Sequence, residues 1–272
     1  MHKTTLARHA ALALALSAAL EGCGSDESSS GSTGGAGTGA SATSASTGSA
    51  TSTASSGATG GGGPGTGGAG GTGAGGGAPI GPRDLLALVG SCNVLAGSTQ
   101  FKTDAGEAST VDICTLTGAV WWQADMDIDC DGGLSATCQN DPYYSPDTSA
   151  SDSQGNPLDA STLPFVVVPL ASNGFDFKNE GLELGSVVAV LYQGQLQYGI
   201  LGDQGPKGVI GEASYAMADL FGIDPDPETG GVDSGVTYIA FTGANAVVTK
   251  NEDHAEAEQI GAARAAEVVQ NN

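Results

Sequence analysis

Basic side chains are scarce in this chain: 8 Lys and Arg stand against 30 Asp and Glu, a formal charge of −22 over 272 residues. A surface of that sign repels phosphate backbones, which argues against a nucleic-acid partner, while a polycation would be drawn to it. Acidity of this kind also simply keeps an exported protein soluble, so the placement of the acids has to discriminate. Histidine is nearly absent; His2, His9 and His254 are scattered, and no C-x-x-C pair accompanies them, so a zinc site lacks its ligand set. Aromatic residues make up only 5%. The apolar run Ala10 to Leu20 falls short of the roughly 20 residues that a permanent membrane span needs.

What is present is strongly segregated. His2, Lys3 and Arg8 precede that short apolar run, which ends in Leu20-Glu21-Gly22-Cys23. The segment 1–23 looks like a bacterial lipoprotein signal, with Cys23 as the lipid-bearing residue, although Glu21 departs from the small residue usual there. From 24 to 82 the chain is almost wholly Gly, Ser, Thr and Ala. Such a stretch buries too little apolar surface to offset its ordering entropy and reads as a disordered linker. Its r.m.s. reach is about 40–45 Å. The expected product is therefore secreted, or lipid-anchored at a bacterial cell envelope, as a monomer that meets a membrane only through Cys23. A single domain is expected over 83–245, followed by a helical tail over 246–272.

Four cysteines fall in that domain: Cys92, Cys114, Cys130 and Cys138. An even number in an exported domain reads as two disulfides, with three possible connectivities. Cys92–Cys114 and Cys130–Cys138 are favoured because each closes a short loop.

The domain reads as mainly β. Phe165–Pro169, Leu182–Tyr192, Leu196–Leu201 and Val236–Phe241 are strand-like, with Gln193-Gly194 as a hairpin turn. Ala213–Phe221 has helical spacing and stops at Gly222, and Asn251 caps a C-terminal helix running to about Val269. Short strands with glycine turns and one inserted helix predict a small β-barrel.

The most informative stretch is Tyr198-Gly-Ile-Leu-Gly-Asp203-Gln-Gly-Pro-Lys-Gly-Val-Ile-Gly-Glu212-Ala-Ser214. A strand, a Gly-Pro-Gly turn and a returning segment can bring Asp203 and Glu212 to one rim of a cleft, the minimum machinery for hydrolysing a glycosidic bond. Glu212 lies among Val209, Ile210 and Ala213, a setting that raises a carboxyl pKa and suits a general acid. Asp203, between glycines and Gln204, is better placed to stay ionised as the base. From spacing alone, a turn-forming Asp beside Gly-Pro and a surface Glu explain the motif equally well.

Several separated motifs then fall in one order: Val120-Trp-Trp-Gln-Ala-Asp125-Met-Asp127-Ile-Asp129-Cys-Asp131-Gly132, Asp141-Pro142, Pro164–Pro169, Gly202-Asp203-Gln-Gly-Pro206 and Ile210-Gly-Glu212-Ala-Ser214. From about Cys92 to Gly243 the chain resembles the fungal-type chitosanases of glycoside hydrolase family 75. Its second half also resembles double-psi β-barrel proteins such as expansins and family-45 cellulases. The resemblance implies a barrel of the double-psi kind and endo-hydrolysis of β-1,4-linked glucosamine polymers with inversion. It further implies Asp203 and Glu212 as the catalytic pair, chitosan as the substrate and no cofactor. Gln204 stands where Thr is expected. By the same analogy with double-psi cellulases, Asp125 or Asp127 would be an alternative base.

Strand alternation over Asp125-Met-Asp127-Ile-Asp129-Cys-Asp131 predicts all four Asp on one face. Aligned carboxylates repel one another unless a cation lies among them, and in the family reading that cation is a glucosamine ammonium. Asp125, Asp127 and Asp129 are thus candidate substrate-binding residues. Calcium is the alternative, because Asp127-x-Asp129-x-Asp131-Gly132 copies the opening of an EF-hand loop, but its twelfth position is Cys138 rather than Glu. Trp121, Trp122 and Tyr143, with Tyr144 beside it, are candidates to stack on sugar rings, although a buried Trp is the commoner fate. Two further functions stay open at this level: a non-catalytic binding module for a cationic glycan or calcium, and a lytic enzyme acting on peptidoglycan. Peptidoglycan has no run of free ammonium groups to meet the Asp-rich strand.

Overall fold

The computed structural model describes residues 80–272; the expected signal, Cys23 and most of the expected linker lie outside them. A first helix, α1 (Pro82–Leu88), starts with Pro at its first turn, as proline's fixed φ favours, and buries Leu85. Helical chain therefore starts at Pro82, the last residue of the segment expected to be a linker.

Seven strands follow: β1 (Cys114–Leu116), β2 (Ala119–Asp129), β3 (Phe165–Pro169), β4 (Val187–Tyr192), β5 (Gln195–Gly205), β6 (Glu212–Ser214) and β7 (Val232–Phe241). Their hydrogen-bonded order is β1-β2-β6-β3-β5-β4-β7, and β7 pairs back onto β2. Six strands thus close into a mixed β-barrel, parallel at β2/β6 and β3/β5 and antiparallel elsewhere. Closure removes the unpaired edges an open sheet would expose.

Side chains alternate between two apolar clusters. Val120, Trp122, Met126, Val166, Val168, Val188, Val190, Leu201, Tyr238 and Ala240 belong to one; Trp121, Phe165, Val167, Val187, Ala189, Ile200, Ile239 and Phe241 belong to the other. The second is capped by α4 (His254–Asn271), which buries Ala257, Gly261, Ala265 and Val268 at helical spacing. Gly261 permits that approach, since a Cβ there would lie 2.3 Å from the Tyr198 ring. The tail helix is therefore part of the packed domain. Its cap is Asp253, whose side chain accepts from the Glu256 N–H, and not the expected Asn251.

The hairpin turn at Gln193-Gly194 is present, with φ of 47° and 79°, the double positive φ that a tight type I′ turn requires. The strand expected from Leu182 begins only at Val187, because Glu183 and Ser186 close a turn through Ser186 N–H to Glu183 O and Glu183 N–H to Ser186 Oγ. The helix expected from Ala213 is instead a three-residue strand, β6, followed by α3 (Tyr215–Phe221), which ends at Gly222 with φ 68°. Ser214 makes the junction: its hydroxyl accepts from the Met217 and Phe165 N–H groups and donates to the Leu163 carbonyl. Both favoured disulfides, Cys92–Cys114 and Cys130–Cys138, are present, with Cα separations of 5.2 and 4.9 Å.

Candidate active site

A cleft of about 310 Å³ lies where the ends of β2, β3, β5 and β6 meet the loop after β2; Asp129, Asp131, Asp141, Tyr143, Val167, Asp203 and Glu212 line it. Two of those acids are put there by local irregularity. Along β3 and β5, Val166 pairs with Leu201 but Val167 pairs with Asp203, so Gly202 is an extra residue in the ladder. In an unbroken ladder Asp203 would oppose Val168, whose side chain belongs to the first apolar cluster. One inserted residue transfers a side chain to the other face, and here it turns Asp203 to the face of Val167. Residue 202 must be glycine, because a Cβ there would lie 2.6 Å from the Phe165 side chain.

Glu212 arrives from the other side of β3. It pairs with Val167 in one direction and with Asp127 in the other. Asp203, Val167 and Glu212 therefore occupy one rung of three adjacent strands, which at about 4.8 Å per strand puts the two acidic Cα atoms roughly 9.6 Å apart. Gly205 leaves room for the Glu212 head, since a Cβ there would sit 3.2 Å from its Oε2.

Electrostatically the cleft is one-signed: among the described residues five acids line it and no Lys, Arg or His does. Burial, followed by the charges of Asp127, Asp131, Asp203 and Asp141, pushes Glu212 up to about 8. Burial also raises Asp131 to about 7, against a hydrogen bond from the Ser145 N–H. Asp129 is held well above the usual carboxylate range by burial and by Glu212, Asp131 and Asp203. Asp203 is raised by burial too, but Ser149 and the Gln204 N–H oppose the rise. Both carboxyls are thus raised, and of the two Asp203 is the one whose rise is opposed by convergent hydrogen-bond donors.

The Asp-rich strand does not form one row. Carboxylate oxygens of Asp129, Asp131 and Asp203 lie within 4.8 Å of one another, while Asp125 and Asp127 group with Asp104. The β2–β7 register shifts between Ala124 and Met126, and the Tyr238 hydroxyl donates to the Asp125 carbonyl at that irregularity, at 2.7 Å. Asp129 lines the cleft. Asp125 is 1% exposed and is not among the cleft-lining residues; Asp127 is not among them either, although it pairs with Glu212 and its charge acts on that carboxyl. The EF-hand alternative loses its geometry as well, because Asp127 and Asp129 fall in different groups and Cys138 is bonded to Cys130.

Both tryptophans are core residues, which corrects their assignment to the substrate. Trp121 packs in the α4-covered cluster, and Trp122, fully buried, stacks on Tyr238 with centroids 5.4 Å apart. Adjacent strand residues face opposite ways, and in this closed, covered barrel both faces are packed. Tyr143 is 43% exposed and lines the cleft; Tyr144 borders a neighbouring groove. Asp141 and Ser149 join the site without having been assigned a role. Asp141 already stood in the Asp141-Pro142 motif, whereas nothing local marks Ser149, which lies 54 residues from its partner.

The geometry defines an acid-lined cleft on a small mixed β-barrel, with Asp203 and Glu212 on one rung on either side of β3. The family model for the fungal chitosanase of glycosyl hydrolase group 75 matches residues 126–267, and the chain belongs to that family. It is similar to endo-chitosanase B of Aspergillus oryzae, 39% identical over 136 residues, covering 46% of this chain and 57% of that protein. An endo-chitosanase of Aspergillus fumigatus is 33% identical over 174 residues, covering 58% and 73%. Endo-chitosanase C of Aspergillus oryzae is 37% identical over 129 residues, covering 46% and 32%. The chain thus spans little more than half the length of endo-chitosanase B.

Proposed function

We propose that this protein is an endo-acting chitosanase that cleaves β-1,4 bonds between glucosamine units with inversion. The observation that carries the reading is the rung Asp203–Val167–Glu212, set by the Gly202 insertion. Side chains projecting from Cα atoms about 9.6 Å apart suit the 6.5–9.5 Å carboxyl separation of inverting glycosidases. Glu212 gives its proton to the leaving glycosidic oxygen as the C1–O bond breaks. Asp203 takes a proton from the water whose oxygen bonds to C1 on the opposite face, and the products leave with Glu212 ionised and Asp203 protonated. Proton return through solvent restores the pair.

The surplus of carboxylates selects the substrate. Asp129, Asp131 and Asp141 face a cleft without a cation of its own, and a glucosamine ammonium supplies one. An acetamido group cannot, so chitin is a poor substrate. Two disulfides suit an oxidising, extracellular setting, and among the described residues no helix is long and apolar enough to cross a membrane. A lipid on Cys23 and a monomeric state belong to the same proposal.

The test is incubation of the full chain with highly deacetylated chitosan, with and without chelator, with reducing ends and product anomers followed by NMR. Oligomers with the α configuration, released at the same rate with chelator, support the reading. Tight binding without release makes the protein a glycan-binding module, and β products refute inversion.

A further inference from the structure

The short segment from Ser145 to Ser149 spans two of the cleft carboxylates. At one end the Ser145 N–H donates to Asp131 Oδ1 at 2.8 Å, and the Gly132 N–H donates back to the Ser145 carbonyl at 2.9 Å. At the other end Ser149 donates twice to Asp203 Oδ1, from its N–H at 2.8 Å and its hydroxyl at 2.6 Å. The Gln204 N–H reaches the same oxygen at 2.7 Å.

Ser149 is itself held by the strand that carries Asp203. The next residue, Ala150, donates its N–H to the Gly202 carbonyl at 3.0 Å, one residue before Asp203. The Thr148 hydroxyl donates to the Ala150 carbonyl and accepts the Leu158 N–H. Gly132 lets the two loops meet, since a Cβ there would lie 2.1 Å from the Leu158 carbonyl oxygen.

The groups facing Asp203 are of one sign: Asp129 at the end of β2, Asp131 just beyond it and Glu212 on β6, with Val167 between on β3. Asp141 also lines the cleft, and Asp147 within the segment itself is exposed. A buried carboxylate in such company takes up a proton unless donors stabilise its anion. Among the described residues all three donors converge on Oδ1, so Oδ2 is the oxygen left for a water proton.

We propose that Ser149 is a positioning residue for hydrolysis: its two hydrogen bonds fix the Asp203 carboxylate, with Oδ2 free for water, and keep it ionised as the base. The inference rests on the chitosanase reading for its reaction, but not for its titration.

The experiment compares wild type, Ser149→Ala and Ser149→Thr as full chains. Ser149 is exposed, so losing its hydroxyl opens no buried cavity, and a thermal melt checks that the fold is intact. On deacetylated chitosan, Ser149→Ala is expected to lower kcat by about 10-fold or more with KM changed less than about twofold. Its acid limb moves up by about one pH unit, because a base that protonates more readily is lost at higher pH. Ser149→Thr, which keeps the hydroxyl, restores most of both. In parallel, the carboxyl carbon of Asp203, identified by the signal missing in Asp203→Asn, is titrated by 13C NMR without substrate. A midpoint that rises in Ser149→Ala supports the inference even if chitosan is not cleaved, an outcome that would refute the functional reading alone. An unmoved midpoint, or a fall in kcat that tracks Tm with the acid limb unchanged, overturns it.

Discussion

Two groups of carboxylates lie on either side of the loop from Asp131 to Pro146, and their surroundings shift their pKa values in opposite directions. In the cleft, Asp129, Asp131, Asp203 and Glu212 are all raised, chiefly by burial. The groove of about 650 Å³ bordered by Leu134, Tyr144 and Pro146 contains Asp152, Asp159 and Glu252, and all three are lowered. Asp152 accepts from the Asn156 side chain and from the backbone N–H groups of Asn156 and Gln154. Burial pushes Asp159 up, but Ser161, the Leu134 N–H and Thr162 pull it below the usual range. Glu252 is lowered by Ser153, which donates to it from hydroxyl and N–H. The difference lies in the balance of burial and neighbours. Among the groove acids donors outweigh burial; in the cleft burial and neighbouring carboxylates outweigh the donors that Asp129, Asp131 and Asp203 also have.

The comparison breaks most visibly in activity. Glu212→Gln and Asp203→Asn are each expected to lower kcat on chitosan by about 10³-fold or more, whereas Asp152→Asn and Asp159→Asn stay within about threefold. A reducing-end assay on the five proteins decides it, and near-wild-type turnover in either cleft variant would sink the catalytic pair.

Next in size is the disulfide that shapes the cleft loop. Cys130–Cys138 closes an eight-residue separation around Asp131, and Gly133 packs against it, a Cβ there lying 2.8 Å from that of Cys138. Replacing both cysteines with Ser is expected to cost about 2.5 kcal/mol by loop-closure entropy, read as a lower urea midpoint. Because Asp131 and Ser145 lean on this loop, activity should fall more than tenfold at temperatures where the fold survives.

Stability against pH separates the two groups by sign. With Glu212 near 8 and Asp131 near 7 in the folded protein, against ordinary values of 4.5 and 3.8, the native state binds more protons than the unfolded chain between about pH 4 and 8. Stability therefore falls as pH rises through that window. Allowing for the partial exposure of both groups, the loss from pH 5 to pH 8 is about 1–3 kcal/mol. Glu212→Gln should flatten the slope and melt higher than wild type at pH 8 while being inactive. Asp159→Asn should instead lower Tm by a few degrees, since it weakens a cap on Leu134, Ser161 and Thr162 worth about 0.5–1 kcal/mol. A wild-type Tm that climbs from pH 5 to pH 8 contradicts the cleft half of the argument.

Legibility in the sequence followed the same divide between local and distant partners. Phe165–Pro169, the Gln193-Gly194 turn, the Gly222 stop and both disulfides are written in neighbouring residues, and the structure has them. Asp203 and Glu212 could be picked out because a strand and a Gly-Pro turn join them. Which face Asp203 takes was not legible, since the Gly202 insertion exists only relative to β3. The same holds for the Asp-rich strand: alternation predicts one row, but the pairing with β7 and the company of Asp104 divide it. Trp121 and Trp122 were misread because strand alternation cannot say that both faces are covered.

The smallest expected effect sharpens the comparison at neighbouring positions. Tyr143 lines the cleft and Tyr144 the groove, so the chain assigns two identical side chains to the two regions. Tyr143→Ala should raise KM for chitosan about 3- to 10-fold with little change in kcat, as removal of a sugar-contacting ring costs uniform binding. Tyr144→Ala should leave both constants within about twofold if the groove acids serve the fold alone. Should Tyr144→Ala raise KM as much as Tyr143→Ala, the polymer must cross both regions. The ionised acids of the groove would then be binding residues as well as struts, and the distinction would lie in the reacting bond rather than in contact with substrate.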